Sequence, residues 1–132
     1  MWFWHAPGPY SQTVASYSIY WVSELTLLGS ALLLWHVLLS NTAHAGAVLG
    51  SCLAMIAQMG LLGAVITFAR VPIYSPHFAT TAPWGLTALS DQQLAGLIMW
   101  IPAAIPYVIF GLMQVGTRLG PRGPEIVASG AS

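Results

Sequence analysis

Three long apolar stretches decide what this chain can become. The first runs over about residues 17–39 and is interrupted only by Glu24 and His36; the second (45–69) and third (92–117) carry no charge. Each exceeds the ~20 residues needed to cross the hydrocarbon of a bilayer. Lipid offers no partner for open backbone N–H and C=O groups, so each stretch must be helical. The fold class that follows is all-α: a polytopic membrane protein with three transmembrane helices. Composition closes the alternative. Only 5% of the residues are charged, none of them lysine, leaving Arg70, Arg118, Arg122, Glu24, Asp91 and Glu125. A water-facing surface uses roughly a quarter of its residues for charge. The formal net charge of zero also excludes a nucleic-acid partner, which selects a basic stripe. Cys52, the single cysteine, excludes an internal disulfide and a cysteine-based zinc site.

The connectors differ sharply. Residues 40–44 read as a tight turn, whereas 70–91 form a long loop containing Pro72, Pro76, Pro83 and Gly85. Residues 1–119 then make one membrane domain. The Gly-, Pro-, Ala- and Ser-rich residues 120–132 read as a flexible tail. The first ten residues lack the positively charged start of a secretory signal and read as mature protein. Arg118 and Arg122 follow the third span, and positive charge at a helix end favours the cytoplasm. The expectation is therefore an outside N-terminus, an outside 70–91 loop and a cytoplasmic C-terminus. Trp2, Trp4, Trp21, Trp84 and Trp100 would gather at the outer interface. Ser90 with Gln93 matches a capping box at the start of the third helix, with Asp91 against its positive end. Pro102 and Pro106 each remove an intrahelical bond and predict a kink. Gly46, Gly50 and Ala54 offer a small-residue stripe for close helix packing.

Few residues can carry chemistry. Gln92, Gly96, Met99 and Ala103 share one face of the third helix. Glu24 lies about two turns into the first span, where a carboxylate is costly and needs a partner; Arg70, His5 and His77 are the candidates. His5 and His77 share the outer side with Tyr10 and Tyr74, and imidazole suits copper; Met99 adds a thioether to this candidate metal set. Two histidines are also what an ordinary interface contains, hydrogen-bonded to backbone or headgroups. Cys52, Met55 and Met59 form a sulfur stripe, for which gap-filling between helices is the favoured reading. No phosphate loop, catalytic triad or carboxylate pair is present. Arg70 and Asp91 close the two ends of the outer loop, and a pair between them would hold it down as a docking surface.

The runs Leu61-Leu62-Gly63, Pro72-Ile73-Tyr74 and Ser90-Asp91-Gln92-Gln93-Leu94-Ala95-Gly96-Leu97-Ile98-Met99-Trp100-Ile101-Pro102 resemble the CtaG-type cytochrome c oxidase assembly factors. Trp4-His5-Ala6-Pro7 with Tyr10, and Leu32-Leu33-Leu34-Trp35, are similar to the same family. The resemblance covers residues 1 to about 118. It implies a non-enzymatic factor of a bacterial inner membrane that serves maturation of a haem–copper oxidase, with copper supply as the finer expectation. Its partners would be lipid and subunits of the oxidase or another respiratory complex. Glu24, Arg70, Asp91, Gln92, Gln93, Gly96 and Trp100 are then docking or structural residues. Two departures stand out: the chain corresponds to only the last three spans of typical members, and Tyr20, Trp21 and Glu24 occupy a span where members carry histidine. A permanent accessory subunit is the alternative role, and a small ion- or proton-conducting membrane protein built around Glu24 is a weaker third.

Overall fold

A computed structural model describes residues 1–40 and 44–119. Two short helices, α1 (Trp2–His5) and α2 (Pro7–Ala15), precede three long ones: α3 (Tyr17–Leu38), α4 (Ala45–Thr67) and α5 (Ala88–Leu119). The loop 68–87 between α4 and α5 contains two 3-10 turns, Ser75–Phe78 and Ala82–Trp84. The described residues are all-helical apart from turns and loop, and α3, α4 and most of α5 are long and apolar enough to cross a membrane. Residues 41–43 of the expected turn and the expected tail 120–132 lie outside the described residues.

α4 and α5 form the antiparallel pair that organises the domain. Gly63 meets Trp100, Gly96 meets Thr67, and Gly111 approaches Leu49, so positions rise on one helix as they fall on the other. The close approach uses Gly63 and Gly96, where a Cβ would collide with the facing helix. This corrects the expected stripe: a Cβ at Gly46 or Gly50 meets nothing within 4 Å, and Ala54 is exposed. Trp100 also departs from expectation. It sits twelve residues beyond Ala88, or ~18 Å at 1.5 Å per residue, and packs over Gly60 and Gly63 instead of joining an interfacial belt.

α3 leans on this pair near its far end. Trp35 stacks on Tyr107 at 5.1 Å and meets Phe110 edge-on at 5.6 Å. Leu38, Val48, Cys52, Met59 and Tyr107 form the buried cluster there, with Met55 against it. Cys52, 2% exposed, and the two methionines are therefore core side chains, as the packing reading holds. A second cluster of Leu62, Ile66 and Tyr74, joined by Tyr10, Ile73 and Met99, lies at the opposite end, under the loop.

α5 starts four residues earlier than expected, and its cap is Thr87, whose Oγ1 accepts the Ser90 N–H at 3.1 Å. The hydroxyls of Thr87 and Ser90 are 2.8 Å apart. Ser90 is thus the third helical residue, and Gln93 is free to reach elsewhere. α5 runs unbroken through Pro102 and Pro106. Each proline removes one backbone donor from the ladder.

Candidate functional site

The site lies where the N-terminal segment, the loop and the first turns of α5 converge. Gln92 is its structural centre, 3% exposed. Its Nε2 donates to the Ile66 carbonyl at 3.1 Å, and its Oε1 accepts the Ile73 N–H at 2.7 Å. Ile66 stands in the last turn of α4, where carbonyls lack intrahelical partners, and Ile73 is a loop residue with no ladder to join. One amide therefore answers two orphaned backbone groups and ties α4, loop and α5 together. Gln93 repeats the device further out, donating from Nε2 to the Ala69 carbonyl at 3.3 Å. Gly96, one turn below Gln92, removes the Cβ that would strike Thr67 and Ile66. The expected face of Gln92, Gly96, Met99 and Ala103 is the face α5 turns to its neighbours.

A hydrogen-bonded chain closes the site. Asp91 Oδ2 lies 2.9 Å from His77 Nδ1, and His77 Nε2 lies 2.7 Å from the Tyr10 hydroxyl. Tyr10 packs on Tyr74 with centroids 4.5 Å apart, and the Tyr74 hydroxyl donates to the His5 carbonyl at 2.7 Å. The loop and the N-terminal helices are thereby fastened to α5 through side chains. Burial pushes the Tyr10 phenol above its usual range, and the Asp91 carboxylate adds to that rise. Burial likewise raises Tyr74, with Tyr10 contributing. Both remain neutral donors near neutral pH. With the Tyr10 hydroxyl donating to Nε2, the Nδ1–H of His77 is left to donate to Asp91.

This geometry corrects the expected Arg70–Asp91 pair. Arg70 is exposed at the start of the loop, and Asp91 turns inward to His77. Glu24 is likewise not paired with Arg70, His5 or His77; the carboxylate contact with a basic side chain among the described residues is His77–Asp91. His44 caps the start of α4 and is exposed, as is His36.

A cavity of about 200 Å³ opens beside the chain, lined by His5, Tyr10, His77, Asp91, Gln92 and Met99 among others. All three candidate metal residues therefore face one space. Their availability differs. His5 Nδ1 lies 2.9 Å from the Met1 carbonyl, so it donates there and Nε2 keeps its lone pair. His77 has both nitrogens engaged. Among the described residues no group of three or more His, Cys, Asp or Glu is placed to hold a metal ion.

The family model for the cytochrome c oxidase caa3 assembly factors matches residues 1–117. The chain belongs to this family. No curated protein and no solved structure matches it. The matched region contains the whole site described above, from His5 to Trp100. Thr87, Gly63 and the Tyr10 hydroxyl were missed as partners. A threonine three residues before Ser90 was the visible signal for the cap; nothing local marks Gly63 over Gly50.

Proposed function

We propose that this family member serves haem–copper oxidase assembly as a non-catalytic inner-membrane factor, taking copper as cargo in the cavity beneath the outer loop. The observation that carries this reading is the convergence of His5, His77 and Met99 on one cavity. Thioether sulfur is a soft ligand that selects Cu(I), and imidazole nitrogen suits copper among other transition metals. His5 Nε2 and Met99 Sδ are the donors not committed elsewhere, and His77 joins only when Tyr10 releases it. A set with so few ready ligands suits cargo that must leave again. The loop held by Gln92 and Asp91 is the docking surface for the oxidase, and the N-terminus and this loop face outward, with the C-terminus in the cytoplasm.

The test is a Cu(I) titration of the purified full chain under reducing conditions, in competition with a chromophoric chelator. Wild type is expected to bind copper, with His5→Ala and Met99→Leu each weakening it about tenfold or more, the scale of one lost ligand. Failure of the wild type to bind Cu(I) sinks the copper reading and leaves the assembly role standing. A permanent accessory subunit is the second reading, favoured by α3, whose spanning segment is only 11% buried within this chain and so offers a broad face to larger subunits. Co-purification separates the two roles: a subunit stays stoichiometric with the mature oxidase, and a factor leaves it.

A further inference from the structure

A different cavity, of about 190 Å³, lies between the short N-terminal helices and the first half of α3, lined by residues that include Trp4, His5, Tyr10, Tyr20, Ser23 and Glu24. Its hydrogen-bond donors are largely spent within the protein. The Trp4 indole donates to Thr26 Oγ1 at 3.0 Å, Ser23 Oγ to the Tyr20 carbonyl at 2.7 Å, and Thr13 Oγ1 to the Tyr10 carbonyl at 2.7 Å. The Tyr10 hydroxyl faces His77. What remains is the exposed Glu24 carboxylate, an acceptor without a cation among the described residues, set beside the Trp4 and Tyr20 rings. Such a niche selects a ligand that brings positive charge and its own N–H or C–H groups.

Depth and shape narrow the ligand further. Tyr17, Tyr20 and Trp21 stand exposed at the start of α3, where amphipathic rings mark the headgroup level, and Glu24 is the next turn inward. Leu27 lines this niche and also a larger cleft of about 500 Å³, whose walls include Ala31, Leu34, Met55, Met59 and Tyr107. A helix ~10–12 Å wide cannot enter a cleft of that volume, whereas a flexible hydrocarbon chain can. We propose that the niche and the cleft together bind one phospholipid with an ammonium headgroup, its charge on Glu24 among the Trp4 and Tyr20 rings and one acyl chain running past Leu27.

The full chain is reconstituted in nanodiscs of equimolar phosphatidylethanolamine and phosphatidylglycerol with identical acyl chains, then released for native mass spectrometry. Wild type is expected to retain phosphatidylethanolamine about threefold over phosphatidylglycerol, the scale of a cation–π contact at an exposed site. Glu24→Gln should abolish the preference while Glu24→Asp keeps part of it. Ala31→Trp, which fills the cleft and leaves the niche intact, should lower retention of both lipids. Equal retention of the two lipids by the wild type, or an unchanged preference in Glu24→Gln, overturns the proposal. So does a photo-crosslinker at position 20 in native membranes that captures a lysine or arginine of a partner protein in place of lipid.

Discussion

Asp91 holds His77 across the loop, with Oδ2 and Nδ1 2.9 Å apart and both side chains about one-third exposed, at 28% and 31%. Partial exposure decides the size of the effect. A fully buried pair broken on one side costs ~3–5 kcal/mol, whereas a pair in contact with water contributes ~0–1 kcal/mol. Asp91→Asn keeps an acceptor for the His77 N–H and should leave the melting temperature in detergent nearly unchanged. Asp91→Ala removes the latch and should loosen the loop, read as faster amide exchange over residues 72–80. If the loop is the docking surface, Asp91→Ala lowers oxidase activity in membranes at unchanged levels of this protein; unchanged activity defeats the docking role.

Gln92 should matter more than Asp91. Gln92→Ala leaves the Ile73 N–H and the Ile66 carbonyl without their partner inside the fold, at ~1–3 kcal/mol for each unsatisfied group. The expected outcome is a large drop in thermal stability and in steady-state protein level together. A melting temperature within a degree or two of wild type would show that water replaces the amide at both groups.

The two kinds of glycine should respond in opposite directions. Gly63→Ala drives a methyl into Trp100, and Gly96→Ala drives one into Thr67; overpacking of this kind costs ~1–3 kcal/mol. Gly50→Ala enters open space and should be neutral or stabilising by up to ~1 kcal/mol through helix propensity. Unfolding curves of the three variants in one detergent decide it, and equal losses at all three positions would contradict the described helix pairing.

Alkaline pH should weaken the N-terminal clamp. Tyr10 and Tyr74 are raised above 10.0 in the folded chain by burial, so between the unfolded and folded values the folded state holds more protons. Stability from these phenols is complete below pH 10 and is lost as pH rises through the higher folded values. Melting temperatures from pH 8 to 11 should fall above pH 10 in the wild type and fall less steeply in Tyr10→Phe. Parallel slopes for the two proteins would remove Tyr10 as the cause.

Orientation is tested by labelling. Cys52 is buried and Phe78 is exposed in the loop, so Phe78→Cys adds one reactive thiol on a quiet background. An impermeant maleimide should label it from the outside of intact cells. Labelling that requires opening of the inner face would reverse the topology.

How much of this was readable without coordinates differs by element. The three helices, their class and the shared face of Gln92, Gly96, Met99 and Ala103 followed from local properties: apolar length, absence of charge and helical period. The role of Gly96 followed as well, since a glycine beside buried polar residues marks close backbone approach. The partner of Asp91, the pairing of Gly63 with Trp100 and the lone carboxylate of Glu24 did not. In a membrane the lipid-facing and protein-facing sides of a helix are equally apolar, so hydropathy names a span without saying which glycine meets a neighbour. Arg70 and His77 stood within the same loop with comparable claims on Asp91, and only the fold of residues 72–78 over α5 put the imidazole nearer. Sequence settled what must cross the bilayer; the packing of α4 against α5 settled which side chains meet at its end.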